Sequence, residues 1–89
     1  MSTDTIWKFR LIDVTNVVDM PASATVLTVA EQGGHITLWA RVNPKHRSEP
    51  RTFHVVGTGC DVPDTAGAHI GTAFIDRFVF HVFEEAVTR

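Results

Sequence analysis

From Ile6 to Ile12 the apolar residues Trp7, Phe9 and Leu11 alternate with Lys8 and Arg10. A period of two puts the large apolar groups on one face of an extended segment and leaves the other face wet, so a strand is expected here. The β-branched residues Val14, Thr15, Val17 and Val18 predict a second short strand over Asp13 to Met20. It ends at Pro21, whose missing N–H stops a ladder and suits a sheet edge. Val26, Leu27, Thr28 and Val29 form the first arm of a hairpin from Thr25 to Glu31, and His35 to Val42 forms the second. Between them Gly33 and Gly34 can take the positive φ angles of a tight turn. In the second arm Ile36, Leu38, Ala40 and Val42 share the predicted core face, and His35, Thr37, Trp39 and Arg41 share the opposite one.

Asn43 to Pro50 is a polar connection with two prolines, of the kind that stays on the surface. Arg51 to Gly57 resumes as a strand with Phe53 and Val55 opposed to Thr52, His54 and Val56. Gly57 to Ala68 collects Gly57, Gly59, Gly67, Pro63, Asp61 and Asp64, and reads as a long loop with unusual backbone angles. His69 to Ile75 and Phe78 to Phe83 form a second hairpin across Asp76 and Arg77, and Glu84 to Arg89 reads as a frayed tail. Phe78, Phe80 and Val82 alternate with Val79, His81 and Phe83, so this last strand is apolar on both faces. Such a strand sits at the centre of a sandwich or beneath another subunit. No repeat, low-complexity tract, linker or helical periodicity interrupts the pattern. The expectation is an all-β chain, a small antiparallel β-sandwich or partly open barrel of six to seven strands. It forms a single domain over residues 1–89, with an ordered core at about residues 5–84.

Composition narrows the function classes. At 89 residues, 44 % hydrophobic and 20 % charged, the chain has a globular composition and room for one compact domain. It contains no apolar run long enough for a membrane span and no signal peptide, so no membrane partner and a cytoplasmic location are expected. Eight Lys and Arg against ten Asp and Glu give a net charge of −2, without the basic excess that duplex nucleic acid demands. Cys60 is the only cysteine, which excludes an internal disulfide and a cysteine-based tetrahedral zinc site. A domain this small hides only about 60 to 65 % of the surface of its unfolded chain, so further burial between copies, in a homo-oligomer, is expected.

Several groups of residues carry candidate chemistry. Gly57-Thr58-Gly59 follows a strand, and its backbone N–H groups with the Thr58 hydroxyl could cradle an anion such as a phosphate; the plainer reading is a turn closing the strand. Arg41, Arg51 and His69 could supply the countercharge. Trp39, among Thr37 and Arg41, is either a stacking platform for a base or part of a core buried on both faces. Trp7 reads as core. The histidines at 35, 46, 54, 69 and 81 show no metal-ligand spacing: His46 reads as solvated, His54 and His81 as partners of nearby backbone, and no metal or other cofactor is called for. Cys60 matches no nucleophile motif and reads as a small buried thiol, so an enzyme is not expected.

Spaced blocks run through the chain: Ile6-Trp7-Lys8-Phe9, Met20-Pro21, Leu38-Trp39-Ala40-Arg41-Val42, Arg51-Thr52-Phe53, Gly57-Thr58-Gly59, His69-Ile70-Gly71-Thr72 and Val79-Phe80-His81-Val82-Phe83-Glu84. From Ile6 to Glu84 this order resembles a family of short bacteriophage and prophage proteins of unknown function. The chain departs from the family at Asp76-Arg77, where a glycine-containing turn is expected, and this leaves the register of the last two strands open. The resemblance implies a phage accessory protein in the host cytoplasm that works by occupying something. One version is an anti-defence protein that holds a phosphorylated nucleotide-type signal or similar small ligand through Trp39, Arg41, Arg51, Gly57, Thr58, Gly59, His69 and Thr72. The alternatives are an inhibitor docking on a host protein surface and a minor virion or assembly component.

Overall fold

The computed structural model describes residues 3–86, which form seven strands and, among the described residues, no helix. The strands are β1 (Thr5–Leu11), β2 (Thr15–Pro21), β3 (Thr25–Gln32), β4 (His35–Val42), β5 (Ser48–Gly57), β6 (Ala68–Ile75) and β7 (Phe78–Glu84). They build two antiparallel sheets, three-stranded in the order β1-β4-β3 and four-stranded in the order β2-β5-β7-β6. The sheets do not close on each other, so the expected alternatives resolve to the sandwich.

The period-two pattern accounts for the core. Ile36, Leu38, Ala40 and Val42 of β4 are all buried, with Leu11 and Val29 beside them on the flanking strands. From the other sheet Met20, Phe53, Ala73 and Val82 meet them. Burying the Leu, Ile, Val, Met and Phe side chains among them gives about 1.5–3 kcal/mol each, the main favourable term in a domain with no disulfide. The sandwich is tightest where β3 lies over β6. A Cβ on Gly71 would stand 2.9 Å from Val29 Cβ, so glycine is what lets the two sheets approach there.

Both predicted hairpins form. Gly33 and Gly34 take φ of 60° and 82°, and Asp76, at φ 53°, fills the left-handed place expected for glycine in the β6–β7 turn. Asp tolerates that conformation better than most side chains, and the register from Thr72↔His81 to Ile75↔Phe78 is unbroken. β7 lies inside its sheet, between β5 and β6, with Val82 buried on the inner face and Val79, His81 and Phe83 half-buried on the outer one.

Four expectations need correction. Trp7 lies on the core side of β1 opposite Ala40 but is 41 % exposed, because it sits near the start of an edge strand with cover on one flank only. The connection after Val42 is shorter than expected: β5 starts at Ser48 and takes in Pro50. Proline is tolerated there because pairing with β7 begins only at Phe53, so this stretch has one neighbour, β2. Glu84 and Glu85 are not a frayed tail. Glu84 closes β7, and Glu85 donates its N–H to the Thr52 carbonyl at 2.9 Å; residues 87–89 lie outside the described residues. Finally, Cys60 is exposed, in the turn that leaves β5.

β5 and β6 both run antiparallel to β7 and are therefore parallel to each other. The segment 58–67 must carry the chain back along the strands from the end of β5 to the start of β6. As a result one end of the sandwich gathers the β1–β2 link, the β3–β4 turn, the exit from β5 and the β6–β7 turn. The opposite end holds the start of β1, the β2–β3 turn and the β4–β5 connection.

Candidate functional site

The eight residues singled out in the sequence separate into four places. Arg51 points between the sheets. Its Nε and Nη2 bind Glu84 Oε2 and Oε1 at 2.5 and 2.7 Å, and its Nη1 donates to the Ala24 carbonyl at 2.6 Å. Both side chains are only 17 % exposed. The hydrogen bonds to Glu84 raise the Arg51 pKa above its ordinary value; burial works against the rise, and the charges of Glu84 and then Glu49 add to it. The guanidinium ties β5 to the end of β7 and to the β2–β3 turn, and its fork is spent on that structural task.

Gly57-Thr58-Gly59 forms a turn in which the Cys60 N–H donates to the Gly57 carbonyl at 3.0 Å and the Thr58 N–H donates to the Val79 carbonyl at 3.0 Å. The Thr58 amide that would help cradle an anion is thus committed to closing the strand, and so is the Cys60 amide that follows the motif.

The Thr58 side chain belongs to a different constellation, on the outer face of the four-stranded sheet. The Thr58 hydroxyl donates to the Val79 carbonyl at 3.3 Å, so it accepts from His81 Nε2–H at 2.8 Å. His81 Nδ1 in turn meets the Thr72 hydroxyl at 3.1 Å, and the same hydroxyl meets His69 Nε2 at 3.0 Å. His69 also packs edge-on against Phe83, with ring centroids 5.3 Å apart. His69, Thr72 and Thr58 are therefore brought together, with His81 as the member that sequence reading did not group with them. His54 lies on the same sheet face and is buried beneath Thr65 and Glu85, bonded to Thr15 Oγ1 at 3.2 Å and to Glu85 Oε2 at 2.8 Å. The partners of His54 and His81 are side chains, where backbone was expected.

Trp39 and Arg41 lie on the outer face of the other sheet. Trp39 is half-buried between Lys8 and Thr28, and the Lys8 ammonium reaches past β4 to Gln32 Oε1 at 2.8 Å. Arg41 pairs with Asp4 at 2.8 Å and lines a polar cleft of about 310 Å³ with Ser23, Asn43 and His46. His46 is not simply solvated: Nδ1 binds the Ala22 carbonyl at 2.8 Å and Nε2 meets Asn43 Nδ2 at 3.3 Å. Among the described residues no group of three or more His, Cys, Asp or Glu is placed to hold a metal ion.

A second, wider opening was not foreseen. At the end where the β1–β2 link, the β3–β4 turn and the β6–β7 turn converge, a cleft of about 840 Å³ enters between the sheets. Its depth is apolar, formed by Leu11, Ile36, Val55, Ile75 and Phe80. Ile12 and Val14 stand on its rim at 73 % and 76 % exposure, with Val62 and Phe78 exposed close by. The acidic residues of its lining, among the described residues, are Asp13 and Asp61, with His35 also present. Ligand clefts typically span about 300–1,000 Å³, and contiguous exposed apolar surface marks a recognition site. One sequence trace of the cleft is apolar residues in or beside turns, at Ile12, Val14 and Phe78, where polar ones are usual.

Over residues 2–89 the chain matches a family described as Domain of unknown function (DUF7352). No curated protein and no solved structure matches it. No helix among the described residues is long and apolar enough to cross a membrane.

Proposed function

The chain belongs to that family, whose description assigns no activity, and from the geometry we propose that it acts by binding and not by turnover, through the open apolar end of the sandwich. One observation carries this reading: an apolar cleft of about 840 Å³ whose rim leaves Ile12 and Val14 in water. Covering a fully exposed side chain of that size is worth up to about 1.5–3 kcal/mol, and a few such residues around a cleft supply a usable affinity.

The resemblance to phage and prophage proteins extends the proposal to an accessory protein in the host cytoplasm. Of its two binding versions, docking on a protein surface draws on the apolar end. Holding a phosphorylated nucleotide draws on Arg41 and on the His69-Thr72-His81 row, which stand on different sheets and share no cleft.

The test is a titration of the purified chain with Nile red, a neutral dye that brightens on leaving water, run at low protein concentration beside calorimetry with mono-, di- and cyclic nucleotides. Saturable dye binding, weakened by Ile12→Glu and Val14→Glu with the fold intact, is the expected result. Nucleotide heat without saturable dye binding would overturn the reading in favour of nucleotide sequestration.

A further inference from the structure

The cleft has a chemical polarity that defines what fits it. Its depth is aliphatic and aromatic, and the acidic residues of its lining are Asp13 and Asp61. Neither carboxylate has a hydrogen-bond or ion-pair partner among the described residues. An occupant complementary to this lining joins an apolar side chain to a neighbouring cation.

The same chain displays such a pair at the β6–β7 turn. The Arg77 guanidinium has no ion partner among the described residues and lies 5.4 Å from the centroid of the Phe78 ring, and Phe78 is 53 % exposed. A cation stacked on an aromatic face is pre-organised, so little side-chain freedom is lost on docking. The turn is also next to the cleft, because Ile75, immediately before it, and Phe80, just beyond it, both belong to the lining. A projection and a socket at the same end of a molecule are what a two-fold axis requires, since one rotation seats both projections at once and leaves neither socket open.

Resting on the reading of this end as the recognition surface, we propose that its occupant is a second copy of the chain. Each copy presents Phe78 to the partner's apolar lining and Arg77 to the partner's Asp13 and Asp61, in a closed two-fold dimer. The outer faces of both sheets, with the Trp39 and His69-Thr72-His81 surfaces, stay outside the contact.

Sedimentation equilibrium across about 1–200 µM tests the dimer, a range suited to a small interface. The wild-type chain is expected to dimerise reversibly. Arg77→Glu and Asp61→Arg are each expected to raise the dimer dissociation constant about tenfold or more. Combined, they are expected to restore much of the loss, because the reversed charges again face each other. Unchanged far-UV circular dichroism and thermal midpoints in the single variants separate lost association from lost folding; if Arg77→Glu misfolds, Arg77→Gln takes its place. A chain that stays monomeric throughout, or a dimer indifferent to the charge reversals, overturns the proposal. A monomer that still binds Nile red at the Ile12 and Val14 rim removes the second copy and leaves the recognition surface standing, whereas loss of both removes the two together.

Discussion

Replacing Arg51 by alanine tests how the sandwich is held at the end opposite the cleft. Arg51 makes a two-pronged pair with Glu84 and a third hydrogen bond to the Ala24 carbonyl, with both charged side chains 17 % exposed. Removing one partner of a fully buried pair costs about 3–5 kcal/mol, because the remaining charge is stranded. Water can reach a Glu84 carboxylate with this residual exposure, which lowers the figure to about 2–4 kcal/mol, the orphaned carbonyl included. Domains of this size have about 5–15 kcal/mol in total, and each kcal/mol shifts the midpoint by about 4–8 °C. Arg51→Ala should therefore melt about 10–25 °C below wild type by circular dichroism.

A double-mutant cycle with Glu84→Gln should show coupling of about 1–3 kcal/mol. Arg51→Met with Glu84→Leu should recover much of the loss, since apolar substitutes remove the stranded charge as well as the pair. The pH dependence follows from the direction of the shift. Arg51 has a folded-state pKa raised above its unfolded value, so its contribution is complete below the unfolded pKa and is lost only as the pH climbs through the folded one, in strong base. Between neutral and mildly alkaline pH the wild-type minus Arg51→Ala difference should stay flat. A midpoint within about 4 °C of wild type, or a cycle additive to within about 0.3 kcal/mol, would refute the claim that this pair clamps the end of the sandwich.

Substitutions at three further positions probe the scaffold. Gly71→Ala places a methyl 2.9 Å from Val29 Cβ, so the β3–β6 contact must open, with an expected loss of about 1–3 kcal/mol in urea unfolding. His54→Ala leaves Thr15 and Glu85 without their imidazole partner; amide exchange in residues 58–67 should rise and stability fall by about 1–3 kcal/mol. Asp76→Val puts a β-branched residue at φ 53° and should cost about 1–2 kcal/mol, whereas Asp76→Gly should not destabilise the turn.

What could be read from the chain beforehand divides along a physical line. Alternation is a property of neighbouring residues, so β4 emerged with both its ends and its buried face Ile36, Leu38, Ala40 and Val42 in place. Burial and pairing depend on partners far along the chain. Glu84 and Glu85 looked like a polar tail because Arg51 and His54, which hold them, stand 33 and 31 residues earlier. Arg51 and His69 looked like companions in one site, yet one points between the sheets and the other away from them.

The cleft depends on topology in the same way, and here a sequence signal does exist. In a chain of successive hairpins the turns alternate between the two ends, which would send Phe78 to the end away from Ile12 and Val14. The long segment 58–67 breaks that alternation. It is too long for a tight hairpin and rich in the residues that let a backbone cross a sheet, so it runs back along the strands and makes β6 parallel to β5. Counting one extra reversal at this loop puts the β6–β7 turn beside the β1–β2 link. Three apolar turn residues that look unrelated in sequence, Ile12, Val14 and Phe78, then face the same water, and shortening residues 58–67 enough to force a hairpin would separate them again.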